Sequence, residues 1–173
     1  MPLLSKSELN GIVGSAYKSA TFSESLRKSM QVERAEGATK SLQKYDIFLS
    51  HSYLDKDTIL QLNYLLEEIL HLEVFVDWIE KPELDRDSVT PETAAEIRSA
   101  MDRSAALLYA YSVNAYESKW MPWELGYSDA KHGRVAVLPM TNIVTEYEKY
   151  EGSEYVGLYP FVRIGDALNG KRF

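Results

Sequence analysis

No cysteine occurs anywhere in the 173 residues. That absence excludes disulfides, thiol nucleophiles, iron–sulfur clusters and cysteine-ligated zinc, and it fits a reducing compartment. Histidine is scarce as well: His51, His71 and His132 stand far apart with no HExxH-like spacing, so no metal site is expected. No run approaches the ~20 apolar residues that span a bilayer, and the opening Met1-Pro-Leu-Leu-Ser-Lys-Ser stretch is too short for a secretory core. A cytoplasmic protein with no membrane partner is the expectation. Positive charge is also in deficit, with 19 Lys and Arg against 26 Asp and Glu and a net charge of −7. An average field of that sign repels phosphates, which argues against a general nucleic-acid binder. What remains is a chain 45 % hydrophobic, long enough to bury the core of one domain.

Residues 1–44 are rich in Ser, Lys, Glu and Ala, with seven Lys or Arg against four Glu. Their apolar spacing predicts two short helices, Lys6 to Lys18 and Ser23 to Glu36, interrupted by Gly11, Gly14 and Gly37. Two readings stand open for this extension: a helical lead-in packed on the main domain, or an arm for self-association or a partner. From Tyr45 the texture changes. Tyr45-Asp-Ile-Phe-Leu-Ser50 reads as a buried strand, and Asp55 to Leu72 as an amphipathic helix with Ile59, Leu62, Leu65, Leu66 and Ile69 on one face. Val74 to Asp77 is a second strand and Trp78 to Thr90 a long loop. Thr90 as N-cap and Pro91 at the first helical position open a second helix. A strand over Ala105 to Tyr111, a helix over Ser118 to Lys131, a strand over Val135 to Pro139 and a last strand over Phe161 to Ile164 complete the wind. Alternation of this kind predicts an α/β domain over 45–173, a five-stranded parallel flavodoxin-like sheet of order 2-1-3-4-5 with helices on both faces.

Doubly wound sheets bind ligands beyond the carboxyl ends of their strands, where successive crossovers leave on opposite faces. Here that point lies between the first and third strands, so the loops beginning at Ser50 and Tyr111 face the site. Ser50-His51-Ser52 offers small polar groups and backbone N–H donors ahead of a helix, suited to an anion or to an ordinary cap. The second loop and the helix it enters set Trp120, Trp123 and Tyr127 around one carboxylate, Glu124. Pro122 suits a first helical turn and so places Glu124 near the helix entry, where it is either a desolvated functional acid or a residue favoured by the helix dipole. Arg86, Arg98 and Arg103 are candidate diphosphate partners.

These segments together resemble TIR (Toll/interleukin-1 receptor) domains, above all prokaryotic ones of antiphage systems such as Thoeris. Tyr45-Asp-Ile-Phe-Leu-Ser-His51 is similar to the first TIR box, Val74-Phe-Val-Asp77 to the second strand, and Trp78 to Val89 to the BB loop. Ser118-Lys-Trp120-Met-Pro-Trp-Glu124-Leu follows the S-x-W-x-x-x-E-L pattern in which catalytic members carry their glutamate. The resemblance implies cleavage of the nicotinamide–ribose bond of NAD+, giving nicotinamide and ADP-ribose or a cyclic isomer. It makes Glu124 the catalytic carboxylate and places Ser50, His51, Ser52, Asp77, Trp78, Arg86 and Trp120 at or beside the nucleotide pocket. It further implies self-association through TIR–TIR contacts and a nucleotide messenger read by a downstream effector. NAD+ is then the substrate and no cofactor is needed. The BB loop departs from the family pattern, with Lys81-Pro82-Glu83 lacking the glycine often found after its proline.

A single carboxylate is enough for this reaction on chemical grounds. Most glycosidases need a second acid to protonate a poor leaving group. Nicotinamide leaves NAD+ from a cationic ring and departs neutral, so one anion that stabilises the developing oxocarbenium ion suffices. A different class of function stays open beside it: a non-catalytic TIR module acting through homotypic contacts, with Glu124 a helix-start acid. A phosphoacceptor receiver is disfavoured, because Ser50-His51, Tyr111-Ser112 and Pro139 occupy the strand ends where it needs Asp and Lys.

Overall fold

Five parallel strands form one sheet in the computed structural model, which describes residues 4–13, 43–80, 90–141 and 154–163. They are β1 (Leu4–Ser5), β2 (Tyr45–Ser50), β3 (Val74–Phe75), β4 (Ser104–Tyr111) and β5 (Val135–Thr141), in the spatial order β3-β2-β4-β5-β1. β2 pairs with β3 through Ile47 opposite Val74, and with β4 through Ser50 opposite Tyr109. Four strands thus follow the expected 2-1-3-4 order, and the fold is the flavodoxin-like α/β wind that the sequence predicts.

The fifth place is shared. Leu4 and Ser5 pair with Met140 and Thr141 at the carboxyl end of β5, while lower down Phe161 makes a single parallel bridge to Val137. That bridge is held by the Val137 N–H to the Pro160 carbonyl and the Val162 N–H to the Val137 carbonyl, each at 2.8 Å. The expected strand from Phe161 to Ile164 is therefore reduced to one bridge, with Ile164 outside the described residues. Pro139 supplies the reason. Two residues beyond Val137, it faces the same edge and has no N–H to give, so the ladder cannot continue.

Strand residues alternate between two cores, as a pleated sheet requires. Leu49, Leu108, Ala110 and Leu138 pack under α1 (Lys6–Val13) and α2 (Lys56–Tyr64), which contribute Leu9, Val13, Ile59 and Leu62. Phe48, Leu107, Tyr109 and Val137 face α4 (Pro91–Asp102) and α5 (Met121–His132), which contribute Ile97, Met101, Met121 and Leu125. Thr90 caps α4 as the sequence predicts, its hydroxyl accepting from the Thr93 N–H at 3.1 Å. α2 ends earlier than expected because the backbone widens over Leu65–Ile69, where the Leu70 N–H reaches back five residues to the Leu65 carbonyl. β3 stops at Phe75, so Asp77 does not end a strand but opens the short helix α3 (Asp77–Glu80). Of the two expected N-terminal helices, the first is seen over Lys6–Val13 and the second lies outside the described residues. Among the described residues no helix is long and apolar enough to cross a membrane.

Candidate active site

β2 ends where its following helix leaves on one face of the sheet, and β4 ends where α5 leaves on the other. Glu124 sits in the first turn of α5, four residues in, its N–H bonded to the Trp120 carbonyl at 2.9 Å. The oriented peptides of that turn favour an anion. Ser50, the last residue of β2, points to the same face and donates its hydroxyl to Glu124 Oε2 at 2.6 Å. The Glu124 side chain has no exposed surface in this conformation. The burial goes further than two flanking indoles imply, since the carboxylate is enclosed between helix, strand end and core.

His51 follows directly and is also buried. Its Nδ1 lies 2.8 Å from the Leu49 carbonyl and its Nε2 lies 2.8 Å from the Trp78 indole nitrogen. A carbonyl only accepts and an indole N–H only donates, so Nδ1 carries the proton and Nε2 the lone pair. Asp77 Oδ1 stands 3.5 Å from that same nitrogen, an ion pair only if the ring were protonated. The shorter indole bond decides for the neutral tautomer. Ser52 is buried too, and its carbonyl accepts from the Asp55 N–H at 3.0 Å.

Ser50 and Glu124 are thus brought together, as are His51, Asp77 and Trp78. Trp120 is largely buried and meets Trp123 edge-on, with ring centroids 5.4 Å apart. As placed, it is a wall of the core rather than an open stacking platform. Arg86 lies outside the described residues. Arg98 stands over the Trp123 ring at 6.0 Å. Arg103 is a correction to the diphosphate candidates: it sits at the amino end of β4, bonded to the Ser99 and Gln43 carbonyls. Ligands of this fold gather at the opposite end. Among the described residues no three His, Asp or Glu side chains are grouped as metal ligands would be.

Two features escaped the sequence reading. Asp55, buried at the start of α2, accepts from the Ser112 hydroxyl and from Asn114 Nδ2 at 2.8 Å, with Lys6 Nζ 3.8 Å away. One carboxylate thereby ties the loop after β4, the head of α2 and the N-terminal segment. In sequence it is indistinguishable from an ordinary helix-start acid. The second is Tyr109, directly across from Ser50. Burial first, and then the neighbouring Tyr155 and Glu124, push its phenol well above the ordinary range. Its signal was the alternation Tyr109-Ala-Tyr111 on one strand face.

No family model matches the chain. A protein of Bacillus cereus (strain MSX-D12), named "Probable 3' cyclic ADP-D-ribose synthase ThsB'", is 44 % identical over 163 residues, covering 93 % of this chain and 82 % of that protein. The chain belongs to the prokaryotic TIR family. A second TIR relative, "Putative cyclic ADP-D-ribose synthase TIR2" of Cytobacillus dafuensis, is 29 % identical over 85 residues, 49 % of this chain and 22 % of that protein.

Proposed function

We propose that this TIR protein cleaves the nicotinamide–ribose bond of NAD+ and closes the remaining ADP-ribose into a cyclic isomer, with hydrolysis to linear ADP-ribose as the competing outcome. The observation that carries the reading is the Ser50–Glu124 pair, a buried carboxylate held by a strand-end hydroxyl at the switch point of the sheet. The names of both relatives support the cyclic product.

In this mechanism the Glu124 carboxylate stabilises positive charge on the sugar as the C1–N bond breaks. The bond's electron pair goes to the pyridinium nitrogen, so nicotinamide leaves neutral. A ribose hydroxyl or a water then attacks C1, and its proton passes through Glu124 to solvent. Ser50 positions the carboxylate, and His51, anchored to the Leu49 carbonyl, positions Trp78 at the cleft edge. Low dielectric around Glu124 strengthens its effect on the cation. Because the carboxylate is covered, substrate entry requires that covering groups move. Self-association through TIR–TIR contacts in the cytoplasm is the proposed trigger, and the cyclic nucleotide the proposed messenger to an effector in antiphage defence. Residues 45–173 form the proposed catalytic domain, with 1–44 its lead-in.

Replacing Glu124 with Gln keeps size and hydrogen-bonding shape while removing the charge. Nicotinamide release from NAD+ should fall by at least about 100-fold, with the circular dichroism spectrum unchanged. A Glu124→Gln protein that releases nicotinamide at the wild-type rate leaves only a docking role.

A further inference from the structure

Beside the first turn of α5 lies a cleft of about 110 Å³, lined by Tyr109, Tyr111, Tyr116, Tyr155, Pro122 and Glu154. Tyr109 and Tyr111 stack with centroids 6.3 Å apart, and Tyr116 meets Tyr111 edge-on with their hydroxyls bonded. The tyrosines form a column that begins across from Ser50 and rises to the mouth of the sheet, where Tyr116 is 67 % exposed. Its foot, Tyr109, is paired across the sheet with Ser50, the residue that bonds Glu124, and Pro122 is two residues from that carboxylate. The cleft thus neighbours the proposed reaction centre.

Its chemistry is selective. Among the described residues no Lys, Arg or His lines it, and Glu154 adds an acceptor of negative charge, so a phosphate is repelled. Its volume is well below the ~300 Å³ at which drug-sized pockets begin, which leaves room for one planar ring and not for a dinucleotide. Phenol faces stack on bases, and a carboxylate with phenol hydroxyls matches an exocyclic amino group. Adenine has both the π face and the amino donor.

We infer that this tyrosine cleft seats the adenine ring of NAD+ and folds the dinucleotide back upon itself, so that an adenosine-ribose hydroxyl rather than water reaches the sugar carbon that nicotinamide leaves. The inference rests on the function proposed above. In the cyclising step a C1–O bond forms as the C1–N bond breaks, nicotinamide carries away the electron pair, and the hydroxyl proton passes through Glu124 to solvent. Hydrolysis differs only in the oxygen that arrives. A ring held in the cleft raises the local concentration of the internal hydroxyl over that of water and so sets the product ratio.

The test uses the full chain with Tyr116→Leu and Tyr155→Ala, both at exposed positions, and measures nicotinamide, linear and cyclic ADP-ribose after incubation with NAD+. Each variant should lower the cyclic-to-linear ratio about tenfold or more, the scale on which loss of a base–aromatic stack is felt. Unchanged ratios in variants that still release nicotinamide overturn the inference and leave the proposed function standing. A wild-type protein that releases no nicotinamide overturns both. Nicotinamide mononucleotide, which lacks the adenosine half, gives the second measurement: any rate defect of Tyr155→Ala seen with NAD+ should vanish with it. An equal defect on both substrates assigns Tyr155 to the fold and refutes the adenine seat.

Discussion

Removing the Ser50 hydroxyl tests whether the Glu124 carboxylate is held as an anion. Both side chains are buried, and the 2.6 Å separation is in the range of a charge-assisted O–H···O⁻ bond. Hydrogen bonds to charged groups contribute about 1.5–3 kcal/mol, so Ser50→Ala should destabilise the protein by about 2 kcal/mol. In a chain of this size that lowers the melting temperature by about 4–8 °C. Glu124→Gln alone acts in the opposite direction, because it relieves an enclosed charge, and should raise stability by about 1 kcal/mol. In the Gln background the hydroxyl faces a neutral acceptor, where a bond contributes about 0.5–1.5 kcal/mol. The double-mutant cycle should accordingly show about 1 kcal/mol of coupling. Urea unfolding of the four proteins at pH 7 measures it, with nicotinamide release followed in parallel. Equal costs of Ser50→Ala in the two backgrounds would refute a charge-specific bond and, with it, the positioning role given to Ser50.

Asp55→Ala should be costlier than its surface position in sequence implies, about 2–4 kcal/mol by urea unfolding, because it strands the Ser112 and Asn114 donors. Lys6→Ala, which removes a partner that is 42 % exposed, should cost less than about 1 kcal/mol; similar costs for the two would disprove the hub. Asp102 gives a dependence on pH. Burial pushes its carboxyl up, but hydrogen bonds from Lys131 and Tyr127 outweigh this and hold it below 3.8. A lowered folded value stabilises the protein above the unfolded value and is lost as pH falls through the folded one. Asp102→Asn should therefore cost up to about 1 kcal/mol at pH 7, given side chains 40 % and 53 % exposed, and the gap to wild type should close below pH 3.8. A gap that stays constant from pH 7 to pH 2.5 refutes the assignment.

The parallel α/β wind was readable because its signals are local. Thr90-Pro91 marks a helix start through its own hydrogen bonds and backbone restriction. What escaped depended on partners distant in sequence. The edge beside β5 is shared by residues from both ends of the described chain, Leu4–Ser5 and Phe161, and no local pattern ranks such competitors. A two-residue strand also carries too little alternation to be seen. The stop at Pro139 was implicit in the residue, yet it has meaning only once the edge that residue faces is known.

The candidate site divides along the same line. Trp120 and Glu124 are neighbours on one helix, so their spacing alone implied proximity. The hydroxyl that holds Glu124 comes from a residue 74 positions earlier and reaches it only because the β2–β4 register puts Ser50 opposite Tyr109 on the α4–α5 face. A one-residue slip of β2 would turn Ser50 to the α1–α2 face and leave the carboxylate facing core with that hydroxyl withdrawn. Register is set by the hydrophobic packing of Phe48, Leu107 and Val137 against α4 and α5. The apolar core thus determines which polar groups meet at the strand ends, and substitutions there that shift β2 against β4 act on Glu124 without touching it.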